Sequence, residues 1–188
     1  MKRFAFLVAA AMTASIATAA PLGVHELFES LARAKPGRAT FHEKKFVALL
    51  DKPVESTGEL VFTPPSRMEK RTTSPRVESV IVDGDLVTLE RGGRKQSLRL
   101  REHPAIAVLV ESIRATLAGD LASLTKTYST GLAGDAAQWR LTLRPLDPSL
   151  GTLVERLEIA GSGAQVRTVE IFQADGDRSV MTLTPVAK

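Results

Sequence analysis

The sequence predicts a mainly β (α+β) protein: one long antiparallel sheet of ten or eleven short strands that curls into an incomplete barrel, roofed by a few helices. Three observations carry this. Apolar and polar residues alternate with period two over much of the chain, as in Trp139, Leu141 and Leu143 against Arg140, Thr142 and Arg144. The alternating runs are separated by Asp83-Gly84, Gly92-Gly93, Gly134-Asp135, Gly161-Ser162-Gly163 and Asp175-Gly176-Asp177, which favour the tight turns of antiparallel hairpins. Helical periodicity is confined to the start and the middle of the chain, too little to supply the crossovers of a parallel sheet.

The first residues, "MKRFAFLVAAAMTASIATAA", combine two positive charges, an apolar run and an Ala17-Thr18-Ala19 end, the pattern of a secretory signal peptide cleaved after Ala19. Residues 1–19 are thus expected to be removed and 20–188 to form a single domain, of a size that suits one core. No later run approaches the roughly 20 apolar residues of a membrane span, and cysteine is absent. An exported chain without disulfides or a thiol for a lipid anchor fits a bacterial periplasm.

Within the mature chain, "VHELFESLARA" places Val24, Leu27, Phe28 and Leu31 at helical spacing, with Lys35-Pro36-Gly37 to stop the helix. Strand patterns follow: "RATFHEKKFVALL" and "STGELVFTPP", joined through Asp51-Lys52-Pro53, then "RMEKRTT", "RVESVIV", "DLVTLE" and "KQSLRL". A helical insertion interrupts them, with Pro104 in the first turn, Ile106, Leu109, Val110, Ile113 and Leu117 as one apolar stripe, and Gly119 at the end. Asp120 can cap a short second helix containing Leu121 and Leu124. Strands resume with "TKTYSTGLAG" and continue through "AAQWRLTLRP", "TLVERLEIAG", "AQVRTVEIFQ" and "SVMTLTP", so that the whole reads as one meander.

The residues of most catalytic chemistries are missing or scattered. His25, His42 and His103 fall on different predicted elements, and neither a zinc-binding spacing nor a G-x-S-x-G elbow occurs. The two Asp-Gly-Asp sequences join strands and read as hairpins rather than calcium loops. Loss of Lys2 and Arg3 with the leader takes the basic count from 25 to 23 against 21 acidic residues, a net of +2, too balanced for a nucleic-acid surface. Arg91, Arg94, Lys95, Arg99 and Arg101 read as a solvated strand edge that deters edge-to-edge pairing, or else as a contact for phosphates and headgroups. Trp139 and Tyr128, each the sole residue of its kind, cannot form an aromatic ladder. A non-enzymatic protein without metal or cofactor is expected, and a curled sheet with too few helices to fill it leaves an apolar interior for a hydrophobic ligand.

In order, "ATFHEKKF", "STGELVFTPPSRMEKRTTSP", "VIVDG", the helical insertion and "QWRLTLRPLD" resemble the periplasmic outer-membrane lipoprotein carriers of the LolA type, and more closely their LolA-related members. The stretch from Gly58 through Pro75 to Gly84 carries most of the likeness, which spans the mature chain. The resemblance implies an unclosed β-barrel lidded by α-helices that takes up acyl chains of a lipoprotein or other lipid. It further implies a carrier that moves them between an inner-membrane transporter and an outer-membrane acceptor, and without a heptad pattern or a large exposed apolar stripe a monomer is expected. Two departures stand out: Pro64 occupies the position where these carriers commonly have an Arg that bonds the lid, and Met68, Lys70 and Thr72 stand where they often place large aromatics. A different acylated or polyene cargo is compatible with both.

The expected cavity lining is Leu60, Phe62, Met68, Val80 and Val82 from the sheet, with Ile106, Leu109, Ile113 and Leu117 from the lid. A one-residue slip would exchange faces, so Val87 and Leu89 compete with Leu86 and Thr88 for the inward positions. The alternative function is an envelope protein-docking or assembly module without lipid cargo, using a sheet edge or the basic hairpin.

Overall fold

The computed structural model describes residues 21–34 and 37–186. The leader with its Ala19 cleavage site, and the Lys35-Pro36 part of the first helix stop, lie outside these residues.

The chain begins with α1 (Val24–Ala32) and enters the sheet at β1 (Gly37–Phe46), β2 (Val54–Thr63) and β3 (Arg67–Ser74). It then forms β4 (Glu78–Asp83), β5 (Leu86–Arg91) and β6 (Arg94–Arg99). A 3₁₀ turn (Leu100–Glu102) leads into α2 (Pro104–Ala118) and α3 (Leu121–Thr127). The second half comprises β7 (Tyr128–Gly134), β8 (Trp139–Pro145), a single helical turn α4 (Pro148–Gly151), β9 (Val154–Ser162), β10 (Gln165–Gln173) and β11 (Arg178–Pro185).

All eleven strands form one antiparallel sheet in the order β6-β5-β4-β3-β2-β1-β11-β10-β9-β8-β7. The chain therefore starts at the middle, walks outward to β6, crosses by the helices to the opposite edge at β7, and walks back until β11 pairs with β1. This corrects the expectation of one continuous meander: two half-meanders are sutured along β1–β11, from Ala39 opposite Pro185 to Phe46 opposite Arg178. Edges β6 and β7 do not pair, and the barrel stays open.

Element ends follow local chemistry. Pro104 opens α2, where a missing N–H costs nothing, and Gly119 closes it in the left-handed region at φ 69°. Gly119 also lets the lid meet α1: a Cβ there would stand 2.4 Å from the Ala32 nitrogen and 2.5 Å from the Phe28 oxygen. Asp120 caps α3 by accepting from the Ser123 N–H at 2.9 Å. Strand and helix ends differ from the sequence reading by a few residues at several points, two of which show why. The first strand stops at Phe46 rather than running to Leu50, and Thr125–Thr127 belong to α3 rather than β7. β-branched residues at a helix end satisfy either pattern, and Thr125 settles it by donating its hydroxyl to the Leu121 carbonyl.

Two separate packed clusters support the sheet. The larger joins α1 and α2 to the second half through Leu27, Phe28, Leu31, Leu141, Leu143 and Leu157, all essentially inaccessible. The sole tryptophan belongs to it as core, its indole N–H donating to the Gly163 carbonyl at 2.8 Å. The smaller cluster seats the start of α2 on the first half through Val82, Val87 and Leu100. Between the two lies the candidate functional site.

Candidate functional site

Strand register brings the five predicted sheet residues into one continuous inward patch. Phe62 faces Met68 across β2–β3, Met68 faces Val82 across β3–β4, and Leu60 and Val80 flank Lys70 in the next rung. The patch continues past the suture on Met181 and Leu183 of β11 and on Val169 and Ile171 of β10. Ile113 and Leu117 of α2 and Leu31 of α1 cover it. Between them lies a partly open apolar cavity of about 520 Å³, large enough for a lipid-sized ligand.

Seven of the nine predicted lining residues thus surround this cavity. Ile106 and Leu109 do not. Ile106 shares the helical stripe of Ile113 and Leu117 but lies two turns nearer the start of α2, where it is 39% exposed, and Leu109 packs against the larger cluster. Periodicity fixes the stripe but not how far along the helix the cavity extends. On β5 the phase is settled: Val87 is buried and Leu86 is 44% exposed, which places Leu89 with Val87 on the inward side.

A polar cluster breaks the apolar wall, and sequence reasoning missed it. Glu43 on β1 and Lys70 on β3 both line the cavity and form an ion pair. The Ser179 hydroxyl donates to Glu43 Oε1 at 2.7 Å, and the Ser56 hydroxyl donates to Oε2 at 3.3 Å. Lys70 Nζ also stands 4.9 Å from the centroid of the Phe41 ring. Burial disfavours the Glu43 charge, but the Lys70 charge and the hydrogen bonds from Lys70, Ser179 and Ser56 outweigh it and hold the carboxyl below its ordinary range. Inward positions of β1 and β3 were the available signal: Glu43 and Lys70 share the parity of Phe41 and Met68.

The close fit around Phe41 depends on Gly58. A Cβ at that position would stand 2.0 Å from the Arg71 carbonyl oxygen and 2.8 Å from Phe41 Cε1. Two polar ties hold the lid. The Tyr128 hydroxyl at the start of β7 donates to the Val108 carbonyl of α2 at 2.8 Å, and burial raises its pKa to about 12. Arg114 of α2 donates to the Gly84 carbonyl in the β4–β5 turn at 3.1 Å. In this tie the cation sits on the lid and the acceptor on the sheet.

Outside the cavity, apolar residues gather at one end of the barrel. Leu49 (94% exposed) and Leu50 on the β1–β2 loop, Val77 on the β3–β4 loop, and Leu146 and Leu153 beside α4 all project from the same strand ends. The basic hairpin turn at Arg91 and Arg94 lies at this end as well. The other basic candidates make ion pairs: Lys95 with Glu90, and Arg99 and Arg101 with Asp85. His42 is also tied outside the cavity, to Glu55 at 2.8 Å. Among the described residues, no group of three His, Cys, Asp or Glu side chains is placed to hold a metal ion. Nor is any helix among them long and apolar enough to cross a membrane.

The profile of the outer membrane lipoprotein carrier protein LolA-like family matches residues 16–188. The chain belongs to this family. Solved structures similar to this chain match it at low identity. A LolA superfamily protein from Nitrosomonas europaea has a TM-score of 0.46 at 10% identity, over 89% of this chain and 94% of that one. The Pseudomonas aeruginosa MucA/MucB complex supplies a chain with a TM-score of 0.49 at 16% identity, over 87% of this chain and 57% of that one. A putative outer membrane lipoprotein-sorting protein domain from Vibrio parahaemolyticus has a TM-score of 0.44 at 8% identity, over 86% and 88%. No curated protein sequence matches the chain.

Proposed function

We propose that this LolA-like chain is a non-enzymatic periplasmic carrier: after cleavage behind Ala19, residues 20–188 form one unit that shields acyl chains of a lipoprotein or other lipid from water. The single observation that carries this reading is the apolar cavity of about 520 Å³, closed on one side by the sheet and on the other by α1 and α2. Each methylene moved from water into such a space gains about 0.8 kcal/mol. A lipid anchor crossing an aqueous compartment needs that compensation. Cargo would arrive from an inner-membrane donor and leave to an outer-membrane acceptor. Native mass spectrometry of protein purified from its own periplasm, followed by organic extraction, tests the reading. A co-purifying lipid or lipidated peptide is expected, on a chain beginning at Ala20. A clean apo mass that also resists loading with labelled acyl chains would overturn it.

A second reading, docking of an envelope protein without lipid cargo, is favoured by the apolar strand-end rim around Leu49 and Val77 with the Arg91 and Arg94 turn beside it. A photo-crosslinker at position 49 that captures a defined envelope protein, while the cavity refuses every acyl probe, is the result that would favour it over the carrier.

A further inference from the structure

We propose that the Glu43–Lys70 pair makes the cavity selective for neutral acyl esters over free fatty acids, with Lys70 donating to the ester carbonyl. The inference rests on the carrier reading and adds the chemistry of the ligand's polar end.

The argument starts from hydrogen-bond capacity. Glu43 accepts from Lys70, Ser56 and Ser179, so both of its oxygens are engaged and it remains an anion. The Lys70 ammonium has three N–H donors, and Glu43 is its hydrogen-bond acceptor among the described residues. Phe41 offers the cation a ring face. Lys70 therefore brings spare donors to the wall of an otherwise apolar space. Water can satisfy them in the empty cavity. A bound hydrocarbon chain displaces that water and leaves donors unpaired, a cost avoided only if the ligand brings an acceptor to the same point.

Charge decides which acceptor fits. Glu43 already neutralises Lys70, so a carboxylate placed beside Lys70 would also face Glu43 across a space that screens charge weakly. An ester carbonyl accepts the same hydrogen bond without adding a charge. A pure lipid-chain cavity has little use for this arrangement, since a buried ion pair often does no better than well-packed apolar residues. The carbonyl belongs either to a free glycerolipid or to the diacylglyceryl group of a lipidated protein; both present the same chemistry.

Displacement of a fluorescent acyl probe at pH 8 tests this with three competitors of equal chain length: a free fatty acid, a 1-monoacylglycerol and a synthetic diacylglyceryl-cysteine peptide. Wild-type protein is expected to bind both esters about tenfold more tightly than the acid, and the tighter of the two esters identifies the source. Glu43→Gln keeps an acceptor oxygen for one serine hydroxyl and turns its amide N–H to the other, whose oxygen can accept, while the negative charge is removed, so the preference should turn toward the free acid. Glu43→Gln combined with Lys70→Met should abolish discrimination. Thermal unfolding of each variant verifies that it folds, and the wild-type comparison needs no variant at all. A wild-type protein that binds acid and esters equally, with no shift in Glu43→Gln, overturns the inference while leaving the carrier reading intact. Failure to bind all three competitors and the probe overturns the carrier reading itself.

Discussion

Replacing Ile113 by Asp asks whether the lid's inward stripe contacts cargo. Ile113 lines the cavity from α2 while packing against the larger cluster. In the empty protein the new carboxylate can keep water from the cavity, but an acyl chain must strip that water away. An unsatisfied polar group costs about 1–3 kcal/mol, and more if charged. At 1.4 kcal/mol per factor of ten, acyl affinity should fall about 10- to 100-fold. The pH dependence gives a second signature. Desolvation in the complex raises the pKa of the introduced carboxyl, so the complex binds more protons than the free protein, and affinity should recover as pH falls toward the ordinary Asp range near 4. Ile113→Asn should weaken binding less and without this recovery. The assay is displacement of a fluorescent acyl probe at pH 8 and pH 5, with Arg94→Glu on the outer β5–β6 turn as control. Equal losses for Ile113→Asp and Arg94→Glu would refute the placement of the cavity.

Three further outcomes are expected. Gly58→Ala forces a Cβ against the Arg71 carbonyl and Phe41, and chemical denaturation should show a loss of ~3 kcal/mol. Tyr128 titrates near 12 in the folded chain against about 10 when unfolded, so the stability it contributes is fully present below pH 10 and is lost as pH rises toward 12; Tyr128→Phe should lack that component of alkaline unfolding. Arg114→Met removes the lid's bond to the Gly84 carbonyl, and stopped-flow exchange of a bound acyl probe should become faster while the unfolding midpoint moves little.

Local structure was largely legible because its determinants are local. The alternation of Trp139 through Arg144, the Asp83-Gly84 turn, Pro104, Gly119 and Asp120 each act within a few residues, and the structure places strand, turn, helix start, helix stop and cap at those points. The suture of β1 on β11 was not legible, since it joins residues separated by almost the whole chain and has no local signature. The site was legible to the extent that strand parity fixes a face: Leu60, Phe62, Met68, Val80 and Val82 share one side. It failed on Ile106 because periodicity fixes a face and not how far along the helix the cavity runs, and on Leu109 because the larger cluster takes up the neighbouring side of that face. It missed Glu43 and Lys70 because pattern reading sends charged residues to solvent, and only the fold shows that two of them meet between strands two apart.

The position of the cavity follows from the way the two halves are joined. Each half-meander packs its own cluster: Val82, Val87 and Leu100 fix one end of α2, while Val108 and Ala115 tie the helix to the other half. Ile113 and Leu117 must then cross the region of the suture, where β1, β2 and β11 offer the wall. Ser112 and Thr116, fully buried on the same helix, satisfy their hydroxyls on the Leu109 and Ser112 carbonyls of their own helix. Both hydroxyl protons are therefore spent within the helix. The lid can be held at its ends, by Tyr128 and Arg114 among others, without any polar bond from these buried hydroxyls down into the cavity. Filling or emptying the space would then bear mainly on contacts beneath the middle of α2, an arrangement that suits the proposed release of a bound acyl chain.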